Sequence, residues 1–213
     1  LIAAGDFTVT NGSIASFDTT DLTSIRILVT AAGQGAVTIA PSGSFSITDV
    51  AGNATTTAGG TDRSVTYDTV APTLTLVQAA AQADPTAGSS IRFSLTSGES
   101  ISGGSVSTDD FTVTNGSISS ISCTAGACTI VVLSATDGTV SIAPSGTFSV
   151  TDLALNATTT AGGADRAVTV DTTAPTVTVN QATAQADPTN AKSITYTVVF
   201  SETVTGVTAA KFT

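Results

Sequence analysis

Asp68, Glu99, Asp152 and Asn156 are the side chains best suited to chemistry in this chain, and the chemistry they suit is capture of a hard cation. Calcium takes roughly six to eight oxygen ligands, so three carboxylates and an amide oxygen leave room for backbone carbonyls and water. Matching halves of the set recur at Asp49 with Asn53 and at Asp171 with Glu202. These residues are far apart along the chain, so a site exists only if the fold brings a linker and two loops to one place. Asp and Asn are also ordinary turn formers, which leaves a purely structural role as the competing reading. No dense acidic loop of EF-hand type is present.

Catalytic chemistry is poorly supplied. The chain has no histidine to act as a base, and its only lysines are Lys192 and Lys211. Cys123 and Cys128 form a C-x4-C pair around a small, Gly-containing centre, which predicts a hairpin disulfide and an oxidising compartment. Half of a zinc site is the alternative, but no further Cys or His could complete it. We therefore expect no enzyme. The net charge of −10 argues against nucleic acid, because no basic stripe is available to displace counterions from phosphates. No apolar run is long enough to cross a bilayer as a helix, so no membrane insertion is expected. The chain opens at Leu1 without a charged segment leading into an apolar run, so a targeting signal is expected to have been removed or to lie outside this stretch.

The elements that must position these residues are short strands. Period-2 alternation between clusters of Gly, Pro, Asn, Asp and Ser predicts strands near 73–78, 90–96, 110–114, 117–122, 128–134, 139–143 and 166–171, with a short extra one around Phe148 and Val150. The inward candidates are Leu74, Leu76, Ile91, Phe93, Leu95, Phe111, Val113, Ile130, Val132, Val140, Ile142, Val168 and Val170. Asn11-Gly12 and Asn115-Gly116 read as type I′ hairpin turns. Asp62-Arg63 and Asp165-Arg166, before the last strand of each copy, read as local ion pairs or strand-edge gatekeepers. About seven strands in a hundred residues predict an all-β fold of tandem immunoglobulin-like Greek-key β-sandwiches. In that topology the incoming linker and two of the loops meet at one pole, which gathers Asp68, Glu99, Asp152 and Asn156.

A long phrase is written twice, from Pro41 and from Pro144, and the later landmarks Pro72 and Pro175 keep the same spacing of 103 residues. The linkers YDTVAPT and VDTTAPT end in prolines that fix φ and lack a donor, as suits the stiff start of an edge strand. The division that follows is 1–71, a repeat lacking its first two strands; 72–174, a complete repeat; and 175–213, the first strands of another. Half a sandwich exposes a core face and open edges. Either the chain is part of a longer array, or the last strands of one molecule complete the first segment of the next.

The combination of VDTTAPTVTV, FSETVTG, DF-x-V-x-NG, D-x-A-x-N and a closing D-T-x-A-P resembles the bacterial immunoglobulin-like repeats of large surface adhesins and extracellular filament proteins. The resemblance covers essentially the whole chain. It implies an extender module of a cell-surface stalk, in some members stiffened by calcium at the joints. Three departures are visible: SGESISG replaces FSETVTG in the middle copy, LALN replaces VAGN, and Lys211 stands where Asp6 and Asp110 stand.

The expected function is therefore a structural extracellular rod or filament segment of a bacterial cell surface, whose partners are neighbouring repeats or copies of itself. The alternatives are an adhesin module recognising a glycan or host protein, and an accessory domain of a secreted hydrolase. A binding module calls for exposed aromatics, yet the chain holds only two Tyr, eight Phe and no Trp.

Overall fold

The computed structural model describes residues 2–124 and 126–212, and the protein is all-β. Among the described residues it has eighteen strands and three single-turn 3-10 segments. Among the described residues no helix is long and apolar enough to cross a membrane.

In the middle copy two antiparallel sheets share one core. One has the order Gly116–Thr124, Ala127–Ser134, Ser90–Ser97, Leu74–Gln78; the other runs Phe111–Thr114, Gly138–Pro144, Ala167–Val170. The buried residues of Ser90–Ser97 and Ala127–Ser134 fall at every second position, so Ile91, Phe93, Leu95, Ile130 and Val132 all point inward. They meet Val140, Ile142, Val168 and Val170 of the opposite sheet in a single cluster. Every inward candidate is buried except Val113, which is partly buried against that cluster. Each such side chain removed from water contributes about 1.5–3 kcal/mol, enough to hold a short strand whose own propensity is weak.

Three local expectations are corrected. Asp110 does not open a strand: it ends a 3-10 turn, Thr108–Asp110, and its buried carboxylate accepts from the Ser107 amide at 2.7 Å, the Ser107 hydroxyl at 2.9 Å and the Ser149 amide at 3.2 Å. Second, Asn-Gly does not make a hairpin. The strands on either side of Asn115 belong to different sheets, so this dipeptide is where the chain steps across the core. Only the asparagine is left-handed, with φ 56° at Asn115 and 55° at Asn11, whereas a type I′ turn needs both residues there. The Asn115 side chain holds the step by donating to the Thr136 carbonyl at 3.0 Å and accepting from the Thr136 hydroxyl at 2.9 Å. Glycine follows because a Cβ on Gly116 would lie 2.6 Å from the Leu133 carbonyl oxygen.

Third, of the two roles expected for Arg166 the ion pair gives way to the strand-edge one: its side chain serves carbonyls and not a neighbouring carboxylate. Its guanidinium donates to Ala161, to Gly162 at 2.7 Å and to Leu76 at 3.3 Å. This fastens the Thr-rich loop 158–166 along the open edge of Leu74–Gln78, where the Leu76 amide donates to the Gly162 carbonyl at 2.9 Å and the Gly162 amide to the Leu74 carbonyl at 2.8 Å. The loop thus covers an edge that would otherwise template another chain.

The first copy repeats this plan with fewer strands: Phe7–Thr10, Gly35–Pro41 and Ser64–Tyr67 form one sheet, Gly12–Asp18 and Arg26–Ala31 the other. Phe7 and Phe45 meet edge-on at 5.7 Å, as Phe111 and Phe148 do at 5.8 Å in the middle copy. The last described stretch carries the hairpin Val177–Gln181 with Tyr196–Phe200.

Candidate metal centre

The site is built on three segments. Asp152 sits in the small hairpin of Val150–Thr151 with Ala157–Thr158, and only 1 % of it is exposed. Asn156 closes that hairpin: its amide N–H and its side-chain N–H donate to the two Asp152 carboxylate oxygens at 2.9 and 2.8 Å. Glu99 follows the Ser90–Ser97 strand in a loop backed by the Cys123–Cys128 hairpin. There Gly126, at φ 90°, comes so close that a Cβ on it would lie 2.7 Å from the Glu99 carbonyl oxygen. The expected disulfide is present, bridging directly opposed residues of that hairpin. Asp68 comes from the linker just after Ser64–Tyr67 and accepts from the Val70 amide at 3.0 Å.

One carboxylate oxygen each from Asp68, Glu99 and Asp152 lies within 4.8 Å of the others. They line a cleft of ≈ 420 Å³, and none of its lining residues is basic. Burial pushes the Glu99 carboxyl above its usual range, and the negative charges of Asp68 and Asp152 push it further the same way. Burial also acts against ionised Asp152, but hydrogen bonds from Asn156, then from the Ala154 and Leu155 amides, outweigh it and hold that carboxyl below its ordinary value. The result is one firmly ionised carboxylate, a second kept short of compensating charge, and a third on the linker. Such a set of oxygen ligands could hold a hard cation.

Of the residues expected there, Asp68, Glu99 and Asp152 converge. Asn156 acts differently: its side-chain nitrogen donates to Asp152 and, at 3.2 Å, to the Asp68 carbonyl oxygen, so it braces the joint. Asp49 and Asn53 repeat the Asp152–Asn156 bracket at 2.8 and 2.9 Å. Among the described residues, neither they nor Asp171 and Glu202 fall in a group of three acids that could hold a metal ion. The Asp171 carboxylate instead accepts from the Thr173 amide at 3.1 Å.

Two joint residues escaped the sequence reading. Asp137 accepts from the Thr172 amide at 3.0 Å and from the hydroxyls of Thr172 and Thr173 at 2.7 and 2.8 Å. Gln34, 103 residues earlier, pins Thr69 in the same way, accepting from its amide at 3.0 Å and donating to its hydroxyl at 3.0 Å. Both lie in turns whose polar composition looks ordinary. The one available signal was the shared spacing between each of them and the following D-T pair.

No protein-family model, no curated protein and no solved structure matches this chain.

Proposed function

We propose that this chain is a non-catalytic, load-bearing segment of an extracellular rod on a bacterial surface, built from immunoglobulin-like sandwiches joined end to end. The observation that carries the reading is the bracing of the joint. The linker leaving Ser64–Tyr67 is tied to the preceding turn through Gln34 and Thr69, and to the next copy through Asn156 and the Asp68 carbonyl. A linker held on both sides transmits force instead of swivelling. The strand order supports the fold assignment: counting the seven longer strands of the middle copy in chain order, one sheet pairs them 1-2-5-4 and the other 3-6-7, as in a seven-stranded immunoglobulin sandwich. The disulfide supports an oxidising location. A ligand-reading surface has less support, because Phe45, Phe93, Phe111 and Phe148 are all buried. Small-angle scattering tests the rod: an elongated particle is expected, and a compact globule overturns it.

Calcium at Asp68, Glu99 and Asp152 is a second element of this reading, favoured by the convergence of three carboxylates on the braced joint. A bound cation would replace their mutual repulsion with shared coordination and stiffen the linker. Calcium titration followed by calorimetry and thermal unfolding tests it; an unchanged melting temperature with no binding heat overturns it.

A further inference from the structure

The sheet edges of the middle copy are treated unequally. The edge of Leu74–Gln78 is clasped by the loop 158–166. That of Ala167–Val170 is covered by the segment from Asp84 to Thr86: the Thr86 amide donates to the Thr169 carbonyl, the Asp171 amide to the Thr86 carbonyl and the Thr169 amide to the Asp84 carboxylate, each at 2.9 Å. Phe111–Thr114 is only four residues long. Gly116–Thr124 runs for nine residues without a charge or a proline, and among the described residues it pairs on one side only, with Ala127–Ser134. Charge, proline and a covering loop are the usual means of blunting an edge, and this one has none of them.

Hydrogen bonding across the sheet decides which backbone groups of that strand are free. The Ser134 amide donates to the Ser89 carbonyl at 2.9 Å and the Ala135 amide to the Asn115 carbonyl at 3.0 Å. Along Ala127–Ser134 the even-numbered residues therefore bond toward Ser90–Ser97 and the odd-numbered ones toward Gly116–Thr124. Ser117, Ser120 and Ser122 face odd-numbered partners and are tied inward. Gly116, Ile118, Ile121 and Cys123 face even-numbered partners, so their amides and carbonyls point out of the edge. The Cα atoms of Cys123 and Cys128 lie 4.0 Å apart, the close spacing of a pair without mutual hydrogen bonds. These four outward positions are symmetric about the Ser119–Ser120 peptide bond, where the strand carries its bulge. The side chains share the symmetry: Ser117-Ile118-Ser119-Ser120-Ile121-Ser122 reads the same in both directions.

We propose that Gly116–Thr124 is an interface between two copies of this chain, which pair antiparallel through this edge about a two-fold axis at the Ser119–Ser120 peptide bond. Ile118 of each copy then faces Ile121 of the other, Gly116 faces Cys123, and Ser117 faces Ser122. Each outward pair exchanges two hydrogen bonds, so the seam holds about eight and joins two four-stranded sheets into one. The bulge would throw a foreign strand out of register midway. On the axis, the extra residue of each copy meets the extra residue of the other. Ile118 and Ile121, only partly buried against the core, gain cover from their counterparts. The strand brings no like charges face to face, although each chain carries a net charge of −10. The first copy's counterpart, Gly12–Asp18, lacks both properties: Ser-Ile-Ala-Ser-Phe-Asp is not its own reverse, and Asp18 sets a carboxylate on the edge. The seam lies wholly within the middle copy and is independent of the rod reading.

Ser117 and Ser122 are exposed and sit at opposite ends of the palindrome, so charges placed there meet only across the seam. Sedimentation of the parent chain should show a concentration-dependent equilibrium between monomer and dimer. Ser117→Lys with Ser122→Asp should keep it, as should the reverse swap, Ser117→Asp with Ser122→Lys, because each introduced charge faces its opposite. Ser117→Lys with Ser122→Lys should weaken the dimer by about tenfold although it lowers the net charge, because like charges directly opposite one another are destabilising at both ends of the seam. Amide exchange of the parent chain gives a second reading that needs no substitution. The Ile118, Ile121 and Cys123 amides should gain protection as concentration rises, whereas those of Ser120 and Ser122 are protected throughout. Equal dissociation constants for the charge variants overturn the register. Protection gained at other amides overturns the choice of edge. A parent chain that stays monomeric at every concentration overturns the self-pairing, even if the edge then takes up an unrelated extended peptide.

Discussion

The side-chain nitrogen of Asn156 lies 3.2 Å from the carbonyl oxygen of Asp68, a contact that spans 88 positions of sequence and ties one copy of the repeat to the linker of the copy before it. The same nitrogen donates to Asp152, so the loop, its buried carboxylate and the linker move as one piece. Asn156 thus braces the joint from the side of the middle copy, as Gln34 does from the side of the first.

Replacing Asn156 by Ala removes donors from Asp152 and from the linker. Hydrogen bonds to a charged acceptor contribute about 1.5–3 kcal/mol, and we expect a loss of about 2 kcal/mol in the unfolding of the middle copy. The scattering profile should also broaden as the joint loosens. A folded chain with unchanged stability and unchanged maximum dimension would remove Asn156 from the joint.

Calcium binding at the carboxylate cluster is expected to depend on pH. Glu99 titrates above its ordinary value of 4.5, so between that value and the raised one the folded chain binds more protons than the unfolded chain. Stability contributed by this group accordingly falls as pH rises through that window, and its full cost is felt above it. Glu99→Gln should raise the melting temperature of the calcium-free chain at about pH 7 and leave it unchanged below about pH 4, where both states are protonated. Calcium should protect the parent chain at about pH 7 and lose affinity on acidification, and should not protect Glu99→Gln. Thermal melts with calcium and with chelator at both pH values supply the comparison.

Cys123 and Cys128 close a loop of only five positions, so the bridge restrains the unfolded chain modestly. Loop-closure entropy for so short a ring gives about 2 kcal/mol. Urea unfolding of the Cys123→Ser, Cys128→Ser chain should show that loss, and the Glu99 loop, which rests on Gly126, should gain amide exchange faster than the opposite sheet.

Gly163 has φ 101°, and a Cβ there would run into the Leu76 carbonyl oxygen. Gly163→Ala must displace the loop from the edge strand and strain its own backbone, costing about 1–3 kcal/mol. Exposing the edge of Leu74–Gln78 should also promote aggregation, detectable by light scattering well below the melting temperature. Gly5, with nothing near its Cβ position, should accept the same substitution without effect.

Alternation and repeat spacing were sufficient to read the strands of the middle copy and its core, because burial in a sheet follows a strict period of two that local sequence displays directly. Phe93, Ile130 and Val168 could be placed inward without coordinates for that reason. The disulfide was equally legible, since its partners are neighbours along the chain. Packing between distant segments decided the rest. Whether Asn115 turns a hairpin or carries the chain to the other sheet depends on which strand each neighbour pairs with, and the dipeptide itself is the same in both cases. Arg166 found Leu76 and not Asp165 because a buried-edge carbonyl 90 positions away came within reach once the loop lay on the strand. Asp68, Glu99 and Asp152 were expected to gather at one pole from the topology, but their approach to within 4.8 Å, and the turning of Asn156 to brace Asp152 and the linker, depend on how the linker packs against the two loops, which no local pattern encodes.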